Sequence, residues 1–116
     1  MRKVFGLAVL VAALAVVPVA LPATLSNAKG TTSCDGTSIW HFVNNQTDGA
    51  AAGSIEVDFS GGLTVTAGAS AVNKNTQHFF VETTGTVTLL DAETNLPGKL
   101  VLSGPVDCDG GKKGKK

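Results

Sequence analysis

The chain has 116 residues, 43% of them hydrophobic, and a formal net charge of zero. A chain of this length forms one small domain, which excludes a multidomain protein. The neutral net charge hides an uneven distribution, because most of the basic residues lie near the two ends of the chain.

The first 28 residues have the layout of a secretory signal peptide. Arg2 and Lys3 precede an uncharged apolar run over residues 4–17, and the tripeptide Ser26-Asn27-Ala28 follows. A basic start, an apolar stretch and a site of small residues are typical of a leader that is cleaved during export. We therefore predict a signal peptide at residues 1–28 and a secreted or extracellular protein.

A retained membrane anchor is the alternative for this leader. Residues 4–25 carry no charge and are numerous enough to span a bilayer. Pro18 and Pro22 interrupt the second half of the run and favour cleavage. Contact with a membrane is expected only through an uncleaved leader or through the basic C-terminal tail.

Removal of the leader leaves 88 residues that divide into an acidic body and a basic tail. Residues 30–111 carry two lysines against nine acidic residues, a net charge of −7. We predict the folded domain at residues 29–111 and a disordered tail at residues 112–116. The tail lysines are candidates for attachment to an anionic cell-envelope polymer or to lipid headgroups, and they are Lys112, Lys113, Lys115 and Lys116. The acidic body excludes nucleic acid as a partner, since phosphates would repel it.

The mature chain shows no helical period, and its Thr, Val, Ile, Phe and Trp residues favour strands. Seven short strands are predicted, in chain order at residues 37–43, 54–59, 63–67, 69–72, 77–83, 86–90 and 99–103. The second and third alternate strictly around Ser60-Gly61-Gly62 and predict a hairpin. Pro97-Gly98 has the order that a type II turn requires. The pattern predicts an all-β antiparallel sandwich or small barrel, of which we favour the sandwich.

Strand alternation also predicts the core. Trp40 and Phe42 share one face of the first strand, and Trp40 is expected to be buried. The other side chains expected to point inward are Ile55, Val57, Phe59, Leu63, Val65, Val87, Leu89, Leu100 and Leu102.

Cys34 and Cys108 enclose 73 residues, nearly the whole domain. An exported chain with two cysteines allows one intramolecular disulfide, and the absence of a Cys-x-x-Cys motif argues against a metal-binding pair. A loop of this length stabilises a domain by roughly 4 kcal/mol. We predict that the disulfide closes the domain.

Two groups of side chains are candidate metal ligands. His41 and His78 lie in similarly aromatic strands and would bind copper or zinc if those strands were neighbours, although two ligands are too few alone. Disulfide formation would draw Asp35 toward Asp107 and Asp109, and carboxylates of this kind suit calcium. The spacing matches no full calcium loop, and solvated acids are the commoner outcome. The sequence therefore predicts no resident metal or other cofactor.

Catalysis finds little support in the sequence. A nucleophile needs an adjacent oriented base, and no Ser has such a signature around it. Glu56 and Asp58 share a strand face and resemble a glycosidase pair, but acids on a hydrated strand face are far commoner. We predict that the protein is not an enzyme.

The strings Trp40-His41-Phe42-Val43, His78-Phe79-Phe80-Val81 and Leu100-Val101-Leu102-Ser103 lie between an early and a late cysteine. Over residues 34–108 this arrangement resembles immunoglobulin-like or transthyretin-like sandwich modules of secreted bacterial surface proteins. The resemblance implies a structural, adhesive or assembly component at the cell surface, whose partner is an envelope polymer or another surface protein. The alternative is a small secreted ligand-binding or inhibitory protein that presents a loop at residues 43–53 or 91–98.

Overall fold

The computed structural model describes residues 22–109, and within that range the chain forms two antiparallel β-sheets without an α-helix. The all-β prediction is therefore confirmed. The strands are β1 (Thr37–Asn45), β2 (Ser54–Phe59), β3 (Leu63–Gly68), β4 (Ala71–Val72), β5 (Thr76–Thr84), β6 (Leu89–Thr94), β7 (Lys99–Leu102) and β8 (Asp107–Asp109). Leader residues 1–21 and the basic tail at residues 112–116 lie outside the described residues.

The larger sheet has five strands in the order β4-β5-β1-β7, with β8 also paired to β1. The smaller sheet has the order β3-β2-β6. The described residues thus form eight strands rather than about seven. The additional strand, β8, has three residues, too few for an alternating pattern to predict it.

The strand predicted at residues 86–90 is displaced toward the C-terminus, and β6 occupies Leu89–Thr94. The predicted bounds of this strand were therefore wrong. The prediction of a loop over the whole of residues 91–98 was also wrong, because residues 91–94 belong to β6. The register of β6 places Glu93 opposite Glu56 and Asp91 opposite Asp58. Like charges in these positions destabilise a strand pair, and Asp and Glu are also depleted in strands, so the local sequence favours a loop. Burial of Leu89, Ala92 and Thr94 on the inner face offsets that cost.

The core lies between the two sheets and is centred on Trp40. The Trp40 ring is fully buried, its centroid lies 5.0 Å from that of Phe59 on the opposite sheet, and Trp40 Nε1 donates a 2.9 Å hydrogen bond to Thr83 Oγ1. Full burial of an aromatic ring of this size stabilises the fold by about 2–3 kcal/mol. Leu63, predicted to point inward, is 38% exposed, because edge strand β3 is only partly covered.

Two polar side chains are buried with their hydrogen bonds satisfied where the chain passes from one sheet to the other. Asn44 accepts a 2.6 Å hydrogen bond from Thr94 Oγ1 and donates one of 2.8 Å to the Pro97 carbonyl. Gly98 follows with φ of 103°, in the left-handed region that the predicted turn requires. These contacts fix the connection between β6 and β7.

The predicted disulfide between Cys34 and Cys108 is confirmed, with the two Cα atoms 5.8 Å apart. The bond joins the chain just ahead of β1 to β8, which itself pairs with β1. A disulfide indicates an oxidising compartment.

Residues 22–28, which were expected to leave with the leader, pack against the domain. Ala23 and Leu25 are each 4% exposed and belong to the core. Cleavage after Ala28 stays a prediction.

Candidate functional site

The outer face of the five-stranded sheet carries aromatic rings, imidazoles and aliphatic side chains. The residues that alternate with them on the same strands point inward and fill the core. In β1 and β5 buried and more exposed residues alternate, because successive side chains of a strand point to opposite faces. We call the outward set the imidazole face, and it comprises Ile39, His41, Val43, His78, Phe80 and Val101.

His41 and His78 meet on this face. The register pairs His41 with Phe80 and Val43 with His78, so the two imidazoles are diagonal neighbours. The distance between His41 Nε2 and His78 Nδ1 is 2.9 Å, a hydrogen bond. The condition stated for a shared site, that the strands of His41 and His78 are neighbours, is therefore met.

Phe80 completes a stack with the two imidazoles. Its ring centroid lies 4.4 Å from that of His41 with an interplanar angle of 10°, and the two imidazole centroids are 5.1 Å apart. Phe80 remains 49% exposed although it is an aromatic residue. The stack fixes the orientation of His41 and leaves half of the phenyl surface open to solvent.

The surroundings of His41 favour its uncharged form. Burial lowers the pKa of His41 from 6.5, nearby His78 lowers it further, and the charge of Asp107 partly offsets both effects. A hydrogen bond between two ring nitrogens also needs one of them unprotonated as the acceptor. Protonation of both rings would therefore break the contact.

As a transition-metal site the pair remains incomplete. Residues 22–109 contain no group of three or more His, Cys, Asp or Glu side chains placed to hold a metal ion. Two imidazoles provide half of the four ligands that zinc takes in structural sites. Metal binding by His41 and His78 stays a prediction.

The three aspartates predicted near the disulfide have different surroundings. Asp35 accepts a 3.1 Å hydrogen bond from Thr86 Oγ1. Asp107 pairs with Ile39 at the margin of the imidazole face. The backbone of Asp109 pairs with Thr37, and its side chain is not among the described ones. Calcium binding at these residues stays a prediction.

The outer face of the smaller sheet is acidic, and the sequence revealed only the half of it that Glu56 and Asp58 form on one strand. Glu56 lies opposite Glu93 and Asp58 lies opposite Asp91; we call these four residues the acidic face. Lys29 Nζ approaches Asp91 Oδ1 to 3.5 Å, but both side chains are about half exposed, so the pair contributes little. The four residues can be recognised as one face only when the position of β6 is known. Strand alternation predicted that strand at residues 86–90, N-terminal to its observed position.

The loop between β1 and β2 is held by side chains from β5 and the turn before it. Gln77 is buried, donates to the carbonyls of Ala50 and Ala51, and accepts from the Gly53 amide at 2.8 Å. Gln46 and Asp48 have positive φ values of 61° and 52°, which are uncommon for residues other than glycine. The Gln77 side chain therefore ties the loop to β5 through three hydrogen bonds.

The fold and the imidazole face define a disulfide-closed, all-β domain with an exposed stack of rings. Compared with protein-family models, curated proteins and solved structures, the chain matches none. No helix between residues 22 and 109 is long and apolar enough to cross a membrane.

Proposed function

We propose that the protein is an exported, non-catalytic β-sandwich that acts as a structural, adhesive or assembly component at or near the cell surface. In this proposal the imidazole face makes the contact. The observation that carries it is the half-exposed Phe80 ring, which is stacked on His41 and has Ile39 and Val43 as its diagonal neighbours on β1. Aromatic residues are enriched in protein interfaces and dominate their binding energy.

The chemistry around the face favours a protein as its partner. Glu82 and Asp107 both lie opposite Ile39 and form a charged margin beside the apolar centre, the usual arrangement of a protein interface. The acidic body, with a net charge of −7 over residues 30–111, repels polyanions. An anionic envelope polymer is therefore assigned to the lysine tail and a second surface protein to the imidazole face.

The likeness to immunoglobulin-like or transthyretin-like modules is part of the same proposal. The two antiparallel sheets and the buried Trp40 support it. Unlike the inter-sheet disulfide of antibody domains, the bond here joins the approach to β1 with the strand that pairs with β1. The proposal of kinship therefore rests on the sheet architecture and the core.

Retention of the exported protein on cell envelopes tests the proposed contact. We expect Phe80→Ser to reduce retention at least tenfold and Leu90→Ser to leave it unchanged. Leu90 is the matched control, since it is 51% exposed and lies on the other sheet. Retention through the lysine tail should be sensitive to salt. Removal of residues 112–116 should therefore abolish only the part of the retention that high salt also abolishes. Full retention by Phe80→Ser, with the Leu90 variant also unchanged, would contradict a contact through the imidazole face.

The alternative is a small secreted binding or inhibitory protein that presents the loop predicted at residues 43–53. Residues 43–45 belong to β1, and the remaining loop, residues 46–53, is held by Gln77, which supports this alternative. A loop held in its bound conformation loses little entropy on binding. Ala51 and Ala52 are exposed on it. This alternative predicts a monomer that captures one soluble target. The double variant Ala51→Asp with Ala52→Asp should lose capture, and Phe80→Ser should retain it.

A further inference from the structure

Residues 22–28 lie between the open edges of the two sheets. β6 is an edge strand of the smaller sheet, and β7 ends the main strand order of the larger one. Thr24 forms an antiparallel bridge with Glu93 of β6, and Leu25 forms a parallel bridge with Leu100 of β7. The segment therefore joins both sheets on one side of the sandwich.

Backbone hydrogen bonds hold the segment to both edges. On the side of β6, the Leu25 amide donates to the Ala92 carbonyl at 2.8 Å, and the Thr94 amide donates to the Ala23 carbonyl at 2.9 Å. On the side of β7, the Ser26 amide donates to the Leu100 carbonyl at 3.0 Å. Without the segment, these edge groups would lose their partners, and exposed edges invite pairing with other chains.

Side chains of the segment complete the core and the edge of β7. Ala23 and Leu25 are buried in the same cluster as Ala92 and Leu100. Asn27 Oδ1 accepts a 2.8 Å hydrogen bond from the Leu102 amide, and Asn27 Nδ2 donates to the Leu102 carbonyl. A product that began at Lys29 would expose apolar core surface on both sheets.

We propose that the leader is cleaved on the N-terminal side of Pro22, so that residues 22–28 remain in the exported protein as a structural strand. The proposal accepts the predicted signal peptide and moves its end from Ala28 to an earlier small residue. The two small residues nearest to Pro22 on its N-terminal side are Ala20 and Ala15, and Ala15 ends the small-x-small sequence Ala13-Leu14-Ala15.

The processing step is hydrolysis of one peptide bond by a leader peptidase of the export machinery. Water supplies the hydroxyl group of the new carboxyl end on Ala15 or Ala20 and a proton to the new amino group. The exported protein then begins at Val16 or Leu21.

The intact mass of the exported protein tests the boundary, with the full chain expressed with its leader in an exporting host. We expect a mass that corresponds to a start at Val16 or Leu21. A start at Lys29, or a retained Met1, would overturn the proposal.

Substitutions at the two boundaries sharpen this test. Asn tolerates the positive φ of 66° found at Ala28 but is a poor residue to precede a signal-peptidase cut, so Ala28→Asn should leave processing unchanged. The double variant Ala15→Leu with Ala20→Leu should accumulate precursor. Precursor accumulation in Ala28→Asn, or normal processing of the double variant, would contradict the proposal.

The melting temperature of the exported product gives an independent readout. Leu25→Ala should lower it by at least about 5 °C, because a buried side chain leaves a cavity. Thr24→Ala, at an exposed neighbour, should change it by less than about 2 °C. If the cut followed Ala28, both substitutions would leave with the leader and the melting temperature would stay the same. These outcomes do not depend on what the imidazole face binds.

Discussion

On the five-stranded sheet the outward positions of β1 and β5 hold His41, His78 and Phe80, whereas the outward positions of β2 and β6 hold opposed carboxylates. The inner faces of the two sheets, by contrast, are alike and bury the same kinds of side chain. Inner positions are constrained by the shared core, and outer positions are free to differ. The acidic face repels another acidic body, and for this reason the proposed function assigns the contact to the imidazole face.

Loss of the disulfide should have the largest effect and should separate the two sheets in stability. We expect Cys34→Ser with Cys108→Ser to lower the free energy of unfolding by roughly 4 kcal/mol, because the unfolded chain gains the entropy of a long loop. Amide hydrogen exchange should increase first in β8 and the start of β1, while β2 stays protected. Equal loss of protection in β2 and β8 would argue against a difference between the sheets.

Gly98→Ala should have the next largest effect, since Gly98 lies in the turn that leads from one sheet to the other. A Cβ atom there would collide with the backbone carbonyl oxygens of Asn45 and Gln46, and φ is 103°. We expect a loss of about 3 kcal/mol in chemical denaturation.

Gly104→Ala is the matched control for this turn. Gly104 also has a positive φ, 78°, but its Cβ atom would meet no atom within 4 Å. Strain alone should cost about 1 kcal/mol there. Equal losses at the two positions would show that the close approach at Gly98 is unimportant.

A charge reversal on the acidic face should stabilise the protein modestly. Glu93→Lys would replace two opposed carboxylates with an ion pair to Glu56, a gain of about 0.5 kcal/mol at low salt. Glu82→Lys on the other sheet faces Ile39 and should give a change close to zero. Thermal melts at low and high salt measure both, and a gain that does not decrease with salt would contradict an electrostatic origin.

The smallest expected effect is a pH dependence that originates on the imidazole face. Because the pKa of His41 is lowered in the folded state, the unfolded chain binds a proton more readily at mildly acidic pH. The free energy of unfolding should therefore fall as the pH drops below 6.5. It should stop falling from this cause once the pH is below the lowered pKa of His41 in the folded protein. His41→Gln should flatten the melting temperature between pH 7.5 and 5.5, and an unchanged slope in this variant would contradict the assignment to His41.

Alternation was sufficient to predict β2, whose bounds, Ser54–Phe59, are those expected. One face of that strand is fully buried, so the period is clear. β1 extends two residues beyond its prediction because Asn44, a polar residue, is buried with partners from β6 and the following turn. Local sequence cannot show such long-range hydrogen bonds.

The sequence could predict the candidate site only on the condition that the strands of His41 and His78 are neighbours. The aromatic strings around His41 and His78 marked both residues, but their contact depends on β1 and β5 being neighbours in the sheet. Phe80 was seen as part of a string and not as an exposed ring, because exposure depends on which side faces the other sheet. The roles of residues 22–28 were hidden for a different reason: their composition matches the end of a leader.

Amide chemical shifts of the ¹⁵N-labelled protein, followed while solubilised envelope proteins are added, test the central claim most directly. We predict that the largest shifts occur at His41, His78 and Phe80, with little change at Glu56 and Glu93. Shifts confined to residues 46–53, or centred on the acidic face, would contradict binding through the imidazole face.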